Sequence, residues 1–246
     1  MALKASPEDQ ALLLDLQALD TKLAQLDHRA KSLPQLATLE ALAKEAQALR
    51  LAHGEQNGAM EDTRLELSRI ESDVRVVETR IGRDSERLQG SSSVKDVAAL
   101  EQELAALKKR LVDLEEIELT VMEKLEEQQA AIDETAAQLG ALVEQVSAAE
   151  AERDAALATI AAERTTAAAG RRTIEAKVPA DLLALYERQR ARYGTGASLL
   201  RGGVSMASGV KLLENEMQAI RAAAPDDVIM CASSEAILVR TSESGL

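Results

Sequence analysis

The chain has 246 residues and a formal net charge of −13, with two tyrosines and neither phenylalanine nor tryptophan. Because aromatic side chains are so few, a thick globular core is not expected. The negative charge opposes non-specific attraction to nucleic acid over most of the surface. A single cysteine excludes an intramolecular disulfide framework, and the absence of a run of about 18 apolar residues leads us to expect a cytoplasmic protein without membrane contact.

The first predicted element is a long helix with a heptad repeat, in which apolar residues alternate at steps of three and four. The apolar stripe begins at Leu12 and runs to Leu33, and it resumes one position out of phase at Leu36. Between the two parts lies Pro34. Because proline removes a helix hydrogen bond and clashes with the preceding turn, we predict a kink or local unwinding near Pro34.

Residues 90–93, a glycine followed by three serines, predict the end of this helix and the N-terminal cap of the next. The second helix carries a regular heptad pattern from Leu100 to Ala149. Two long helices joined by so short a connection run antiparallel. The sequence therefore predicts an antiparallel coiled-coil helical hairpin over residues 1–178.

Residues 179–246 are predicted to form a smaller α+β module, so that the fold as a whole is mainly α. Pro179 begins a short amphipathic helix that ends before Gly194, and short β-prone runs then flank a further helix near residues 214–224. The side chains expected to hold this module by packing are Val204, Val210, Leu212, Met217, Ile220, Val228, Ile229, Ile237, Leu238 and Val239.

This arrangement resembles the bacterial C4-type zinc-ribbon proteins with an N-terminal coiled-coil hairpin, formerly a domain of unknown function, and their actinobacterial branch in particular. The resemblance rests on the segments LLLDLQALDTKL, SSSVKDVAALEQEL and VPADLLALYERQR and on the ending AILVRTSESGL. Members of that family carry two CxxC pairs roughly twenty residues apart, which supply four thiolates for tetrahedral zinc. The resemblance thus implies a zinc-ribbon-like C-terminal module.

On the family's pattern, the four ligand positions fall on Ser205, Ser208, Cys231 and Ser234. A serine hydroxyl stays protonated at neutral pH and does not replace a thiolate toward Zn²⁺. The resemblance therefore implies a degenerate zinc site, and we expect no cofactor in this chain, although family members with four cysteines hold zinc. Natural loss and deliberate substitution both explain three serines at three cysteine positions.

For function, the sequence shows no nucleophile with an adjacent base, no paired carboxylates and no phosphate-binding glycine loop, so we expect no enzymatic activity. The resemblance implies a regulatory or chaperone-like family with members tied to transcription and flagellar assembly. Our main hypothesis is a coiled-coil adaptor that binds protein partners along the hairpin, as a monomer or a homodimer.

The alternative hypothesis is nucleic-acid binding by the C-terminal module. Residues 179–246 contain seven Lys and Arg and eight Asp and Glu, so their net charge is close to zero. This module therefore repels phosphates less than the hairpin does. Tyr186 and Tyr193 offer rings for base stacking, but their spacing of seven residues leads us to expect that both pack onto the module. The candidate phosphate contacts are Arg188, Arg190, Arg192, Arg201 and Lys211.

Overall fold

The computed structural model describes residues 3–246, and it shows the predicted mainly helical fold, a long helical hairpin followed by a small strand-containing module. The helices are α1 (Pro7–Lys31), α2 (Pro34–Gly90), α3 (Val94–Glu175), α4 (Ala180–Tyr193) and α5 (Glu214–Ala222). The strands are β1 (Ala197–Arg201), β2 (Val204–Ser205), β3 (Ile229–Met230) and β4 (Ile237–Val239). Among residues 3–246, none of the helices combines the length and the apolar content that a membrane crossing requires.

The chain forms two compact units. The first contains the chain through Pro34 together with Glu152–Leu246, and the second contains Gln35–Ala151. The end of α2 and the start of α3 confirm the turn predicted at residues 90–93. In the second unit α2 and α3 are joined by this turn, and Arg80 of α2 pairs with Glu103 of α3.

The break between α1 and α2 lies where the proline predicted it. Ser32 follows the end of α1 and donates its backbone N–H to the His28 carbonyl at 3.0 Å. Pro34 then takes the first position of α2, where its missing N–H removes no hydrogen bond because the first turn of a helix has no intrahelical acceptors. The predicted local unwinding near Pro34 is therefore confirmed.

In the first unit, α1 and α3 run antiparallel. Arg164 Nε donates to Asp27 Oδ1 at 2.9 Å, and Arg171 Nε donates to Asp20 Oδ1 at 2.7 Å. A residue later in α1 thus pairs with a residue earlier in α3, as antiparallel helices require. Apolar side chains fill the interface beside these pairs, among them the buried Leu26, Leu33 and Ile160.

The four strands form one sheet in the order β2-β1-β4-β3. β1 is parallel to β4 and antiparallel to β2, and β3 is antiparallel to β4. The turn between β1 and β2 consists of Gly202 and Gly203, with φ of 55° and 77°. A two-residue hairpin turn of this kind needs positive φ at both positions, which glycine adopts without strain.

The sheet is covered on both faces, because successive residues of a strand point to opposite sides. Ile237 and Val239 of β4 pack in one cluster with α1 and α4, whereas Leu238 packs in a second cluster with α5. The buried members of the first cluster are Ala5, Leu13, Leu16, Val178, Leu182, Tyr186, Ala197, Ile237 and Val239. Those of the second are Leu200, Leu212, Met217, Ile220, Cys231 and Leu238.

Two packing predictions for this module were wrong. Val210 is 53% exposed, because it follows Gly209, whose φ of 65° turns the chain, and it is Leu212 that enters the core. Tyr193 is 44% exposed, with the Arg192 guanidinium over its ring at 5.2 Å. Tyr186 is buried as predicted.

A buried polar junction, which we call the Asp20 junction, joins α1, α3 and α4. The Asp20 carboxylate accepts hydrogen bonds from Arg171 Nε and from the Tyr186 hydroxyl, each at 2.7 Å. Arg171 also pairs with Glu187 of α4. Burial, together with the hydrogen bond to Asp20, raises the pKa of Tyr186, so its hydroxyl remains a donor at neutral pH.

The start of β1 is fixed against the same junction. Gln17 Oε1 accepts the backbone N–H of Gly196 at 2.7 Å and the Tyr186 hydroxyl at 3.3 Å. A Cβ atom at Gly196 would lie 2.5 Å from the Tyr186 ring, so this approach of backbone to ring requires glycine.

We expect Asp20→Ala to lower the free energy of unfolding by about 3 kcal/mol, because it removes the one buried carboxylate of the junction, which the half-buried Arg171 and the buried Tyr186 hydroxyl share. Asp27→Ala is the matched control, since Asp27 lies on the same helix and accepts from an α3 arginine in the same way, but both side chains are more than half exposed. Its expected effect is below about 1 kcal/mol. Urea unfolding followed by circular dichroism measures both values, and equal losses would contradict the structural role of the junction.

Candidate functional site at two facing turns

The C-terminal module contains two tight turns of the same geometry, one after β2 and one after β3. In each turn the backbone N–H of the fifth residue donates to the carbonyl of the first, Gly209 to Ser205 and Glu235 to Cys231, both at 2.8 Å. The fifth residue has a positive φ in both turns, 65° at Gly209 and 57° at Glu235. The two CxxC-like segments thus fold into equivalent turns.

These turns bring the four positions singled out in the sequence into one place. Ser205 and Cys231 are buried, and Ser208 and Ser234 are half-buried. Ser233 connects the two turns, because its Oγ lies 3.2 Å from Cys231 Sγ and donates a hydrogen bond to Ser208 Oγ at 3.1 Å. We refer to these five residues as the serine cluster.

Sequence reasoning missed two hydroxyl groups at this site, those of Ser198 and Ser233. Ser198 Oγ on β1 accepts the backbone N–H of Ala207 at 2.7 Å and lies 3.4 Å from Ser205 Oγ. The high density of serine in both turns was the available signal for Ser233. Nothing in the local sequence pointed to Ser198, because β1 and the first turn meet only in the folded sheet.

The donor set of the serine cluster does not fit zinc. Structural zinc sites use thiolates and imidazoles, with carboxylates as a further option, and the cluster offers one thiol and neutral hydroxyls. Within residues 3–246, no three or more His, Cys, Asp and Glu side chains form a group that could hold a metal ion. The cluster is therefore held by hydrogen bonds between hydroxyl groups and one thiol.

The thiol of Cys231 has an unusual environment for a buried cysteine. Burial alone would raise its pKa, but the surrounding serine hydroxyls, of which Ser233 Oγ lies 3.2 Å from the sulfur, stabilise the thiolate and lower the pKa to about 7. The side chain is 1% exposed, so this thiolate is shielded from solvent.

The structure places the five candidate phosphate contacts in different settings. Arg190 is committed to the Asp20 junction, with Nη2 2.7 Å from Glu187 Oε2 and Nε 3.4 Å from Asp20 Oδ2. Arg201 pairs with Glu243 at 3.2 Å on the surface. The remaining three, Arg188, Arg192 and Lys211, are exposed.

A groove of about 680 Å³ lies beside the first turn, between α1 and the edge formed by β1 and the turn. Its lining includes Leu14 and Gln17 from α1 and Ala197, Leu199 and Met206 from the module. Met206 is exposed, so an apolar side chain stands at the surface beside this groove. The arrangement suits contact with a peptide or protein surface.

The chain is similar to known proteins over most of its length. Residues 16–194 match the family described as the CT398-like coiled coil hairpin domain. An uncharacterized protein of Mycobacterium tuberculosis is 36% identical over 239 residues, which cover 97% of this chain and 98% of that protein.

Two solved structures share the fold. One from Mycobacterium smegmatis is 33% identical, with a TM-score of 0.88, and the match covers 97% of this chain and 100% of that one. The structure of CT398 from Chlamydia trachomatis has a TM-score of 0.68 at 18% identity, over 94% of this chain and 97% of that one. The second likeness concerns the fold alone.

We expect the triple variant Ser205→Cys, Ser208→Cys, Ser234→Cys to bind one Zn²⁺ tightly, because the two turns already place four side chains together. The expected apparent binding free energy is on the order of 10 kcal/mol. Competition with a chromophoric chelator measures it. A matched control places the same number of thiols at the exposed intervening positions, as Met206→Cys, Ala207→Cys, Ala232→Cys. Equal affinity in the two variants would show that the turns do not form a ligand set.

We also expect the folded protein to gain stability relative to Cys231→Ser as the pH rises from 7 to about 8.5. The folded thiol has a pKa of about 7, below the value of about 8.5 in an unfolded chain, so thiolate formation favours the folded state in this window. The stabilisation approaches about 2 kcal/mol above a pH of about 8.5, develops mostly between pH 7 and about 8.5, and is lost as the pH falls through 7. Urea unfolding of both proteins across this range measures it, and parallel pH profiles would contradict the lowered pKa.

Proposed function

The chain belongs to the CT398-like coiled coil hairpin domain family, and from this membership and the surface of its hairpin we propose that it is a non-enzymatic adaptor that acts through protein–protein contacts. Helices of soluble proteins normally keep their outer face polar, and exposed apolar groups mark interaction surfaces. In the second unit, both arms carry such groups. They include Leu51, Leu65 and Val76 on α2 and Val112, Leu119 and Val143 on α3.

The observation that carries the proposal is an apolar groove of about 430 Å³ between α2 and α3 in the second unit. Apolar side chains dominate its lining, and Val143 is 64% exposed there. The lining residues are Ala46, Arg50, Leu139, Gly140, Leu142, Val143, Val146, Ser147 and Glu150. We refer to this feature as the hairpin groove.

Gly140 contributes to the open shape of the hairpin groove. A Cβ atom added at this position would meet nothing within 4 Å. Glycine in a helix interior costs roughly 0.5 to 1 kcal/mol relative to alanine, so the position gives up helix stability and leaves space on the surface. An apolar groove between two helices accommodates the apolar face of a partner helix, a common mode of peptide recognition.

The nucleic-acid alternative has less support from the placement of the arginines. Arg190 is used inside the Asp20 junction and Arg201 is paired with Glu243, so two of the five candidate contacts already have carboxylate partners. The exposed Arg188, Arg192 and Lys211 remain for phosphates. Affinity capture with and without nuclease separates the two functions.

We expect Gly140→Glu to abolish capture of a protein partner while the chain stays folded. The new side chain projects into open space, so folding is preserved, but its length and charge fill the hairpin groove. The measurement is affinity capture from lysate of the native source with the full chain as bait, with and without nuclease, followed by mass spectrometry.

The matched control is Gly58→Glu, which adds the same charge at another helical glycine of the second unit with no atom within 4 Å and no place in the groove lining. A protein retained by the wild type and by Gly58→Glu, lost with Gly140→Glu and indifferent to nuclease supports the adaptor function. Identical capture by both variants, or partners that vanish with nuclease, would refute it and direct attention to the exposed cations of the C-terminal module.

A further inference from the structure

A second concavity of the second unit has a different chemistry from the hairpin groove. This pocket, of about 670 Å³, lies along α2 and reaches Glu103 of α3. Arginine dominates its lining, in a chain whose net charge is −13. The four arginines are Arg75, Arg80, Arg83 and Arg87, and we call the feature the arginine pocket.

Two of these arginines are neutralised within the pocket. The Asp84 carboxylate is buried, with Oδ1 3.3 Å from Arg87 Nη1 and Oδ2 3.8 Å from Arg80 Nε. Arg80 also pairs with Glu103 across the hairpin. These pairs fix the walls of the pocket and leave little positive charge on the two side chains for a ligand.

The other two arginines have no carboxylate partner among residues 3–246. Arg75 Nε donates to the backbone carbonyl of Glu71 at 3.2 Å, which leaves its charge uncompensated. The Arg83 side chain has neither a hydrogen bond nor an ion pair with any residue between 3 and 246. The two lie eight residues apart on α2, about 12 Å along the helix axis. This distance corresponds to about two turns of a helical ligand or to about four residues of an extended one.

Beyond Glu103, α3 first carries the three cations Lys108, Lys109 and Arg110 and then becomes acidic. Residues 111–135 of α3 contain nine acidic side chains and one lysine. This stretch begins eight residues after Glu103, about 12 Å along the helix. A polyanion that extended along α3 past Arg110 would meet this acidic stretch, whereas a short anionic segment held at the arginine pocket would avoid it.

We propose that the arginine pocket binds a short acidic segment of a partner protein, with Arg75 and Arg83 pairing with its carboxylates. The planar guanidinium group matches a carboxylate in bidentate geometry. Val76 lines the same pocket and is exposed. An apolar side chain of the acidic segment, next to its carboxylates, packs against it. The acidic stretch on α3 favours this ligand over nucleic acid. The inference rests on the adaptor function in taking the ligand to be a protein.

The test uses the purified full chain, and the probe is a fluorescently labelled peptide of about six glutamates, long enough in extended form to reach both Arg75 and Arg83. Anisotropy is measured at about 20 mM salt, where screening is weak. We expect Arg75→Gln/Arg83→Gln to raise the Kd about tenfold or more, since it removes both uncompensated guanidinium groups. The matched control is Arg64→Gln/Arg69→Gln, which removes the same charge from the same helix outside the pocket. Its expected change is below about twofold.

Three outcomes would overturn the proposal. One is the absence of binding of the short glutamate peptide by the wild type. Another is an equal loss of affinity in the two double variants, which would mean that net charge alone sets the binding. The third is tighter, Arg75- and Arg83-dependent binding of a single-stranded oligonucleotide, which would make the ligand a nucleic acid. Gly140→Glu is measured alongside and is expected to bind the probe normally, so that failure of the hairpin groove and failure of the arginine pocket are told apart.

Discussion

The carboxylate of Asp20 is the point on which the C-terminal module depends. It accepts a guanidinium N–H from α3 and a phenol from α4, and it lies on α1, so one buried group sets three helices against each other. A buried ion pair gains little net free energy, since desolvation offsets most of the attraction, but it penalises every arrangement that separates its members. Tyr186, held by this bond, in turn fixes where the chain passes at Gly196 and therefore where β1 begins. The sheet, and with it the two turns, follows from that position.

The two turns keep their shape although their donor atoms do not suit a metal. Hydrogen bonds among serine hydroxyls contribute on the order of 1 kcal/mol each, against roughly 10 to 16 kcal/mol of apparent binding free energy for zinc in zinc-finger peptides. The difference has to come from packing, and the sheet provides it by burying apolar side chains on both faces. On β4, Leu238 packs in the cluster with α5, whereas Ile237 and Val239 pack in the cluster with α1 and α4. A module covered on one face only would lack this source of stability.

The sequence predicted the features that local physics controls. Heptad spacing, the proline at position 34 and the glycine and serines at 90–93 act through the backbone of their own neighbours, and the helices begin and end where these residues indicated. The sequence was a poorer guide to side chains whose exposure or partners depend on distant parts of the chain. Val210 lies in a turn that directs it outward. Nothing in the sequence indicated that Arg190 pairs with a carboxylate 170 residues away. Arg75 and Arg83 look like an ordinary solvated helix face in sequence, because the pocket forms only when Glu103 of α3 comes alongside.

The hairpin thus carries two surfaces that respond in opposite ways to ionic strength. Burial of apolar groups in the hairpin groove does not depend on charge, and salts that are excluded from protein surfaces strengthen it. Carboxylates at Arg75 and Arg83 are held by exposed charges, whose attraction falls within a Debye length of about 8 Å at physiological ionic strength. A partner that uses both surfaces gains by linkage, because binding at one raises the effective concentration at the other. Both surfaces lie within the second unit, so such a partner needs an apolar helix and an acidic segment in the same chain, and the salt dependence of its affinity reports how much each contributes.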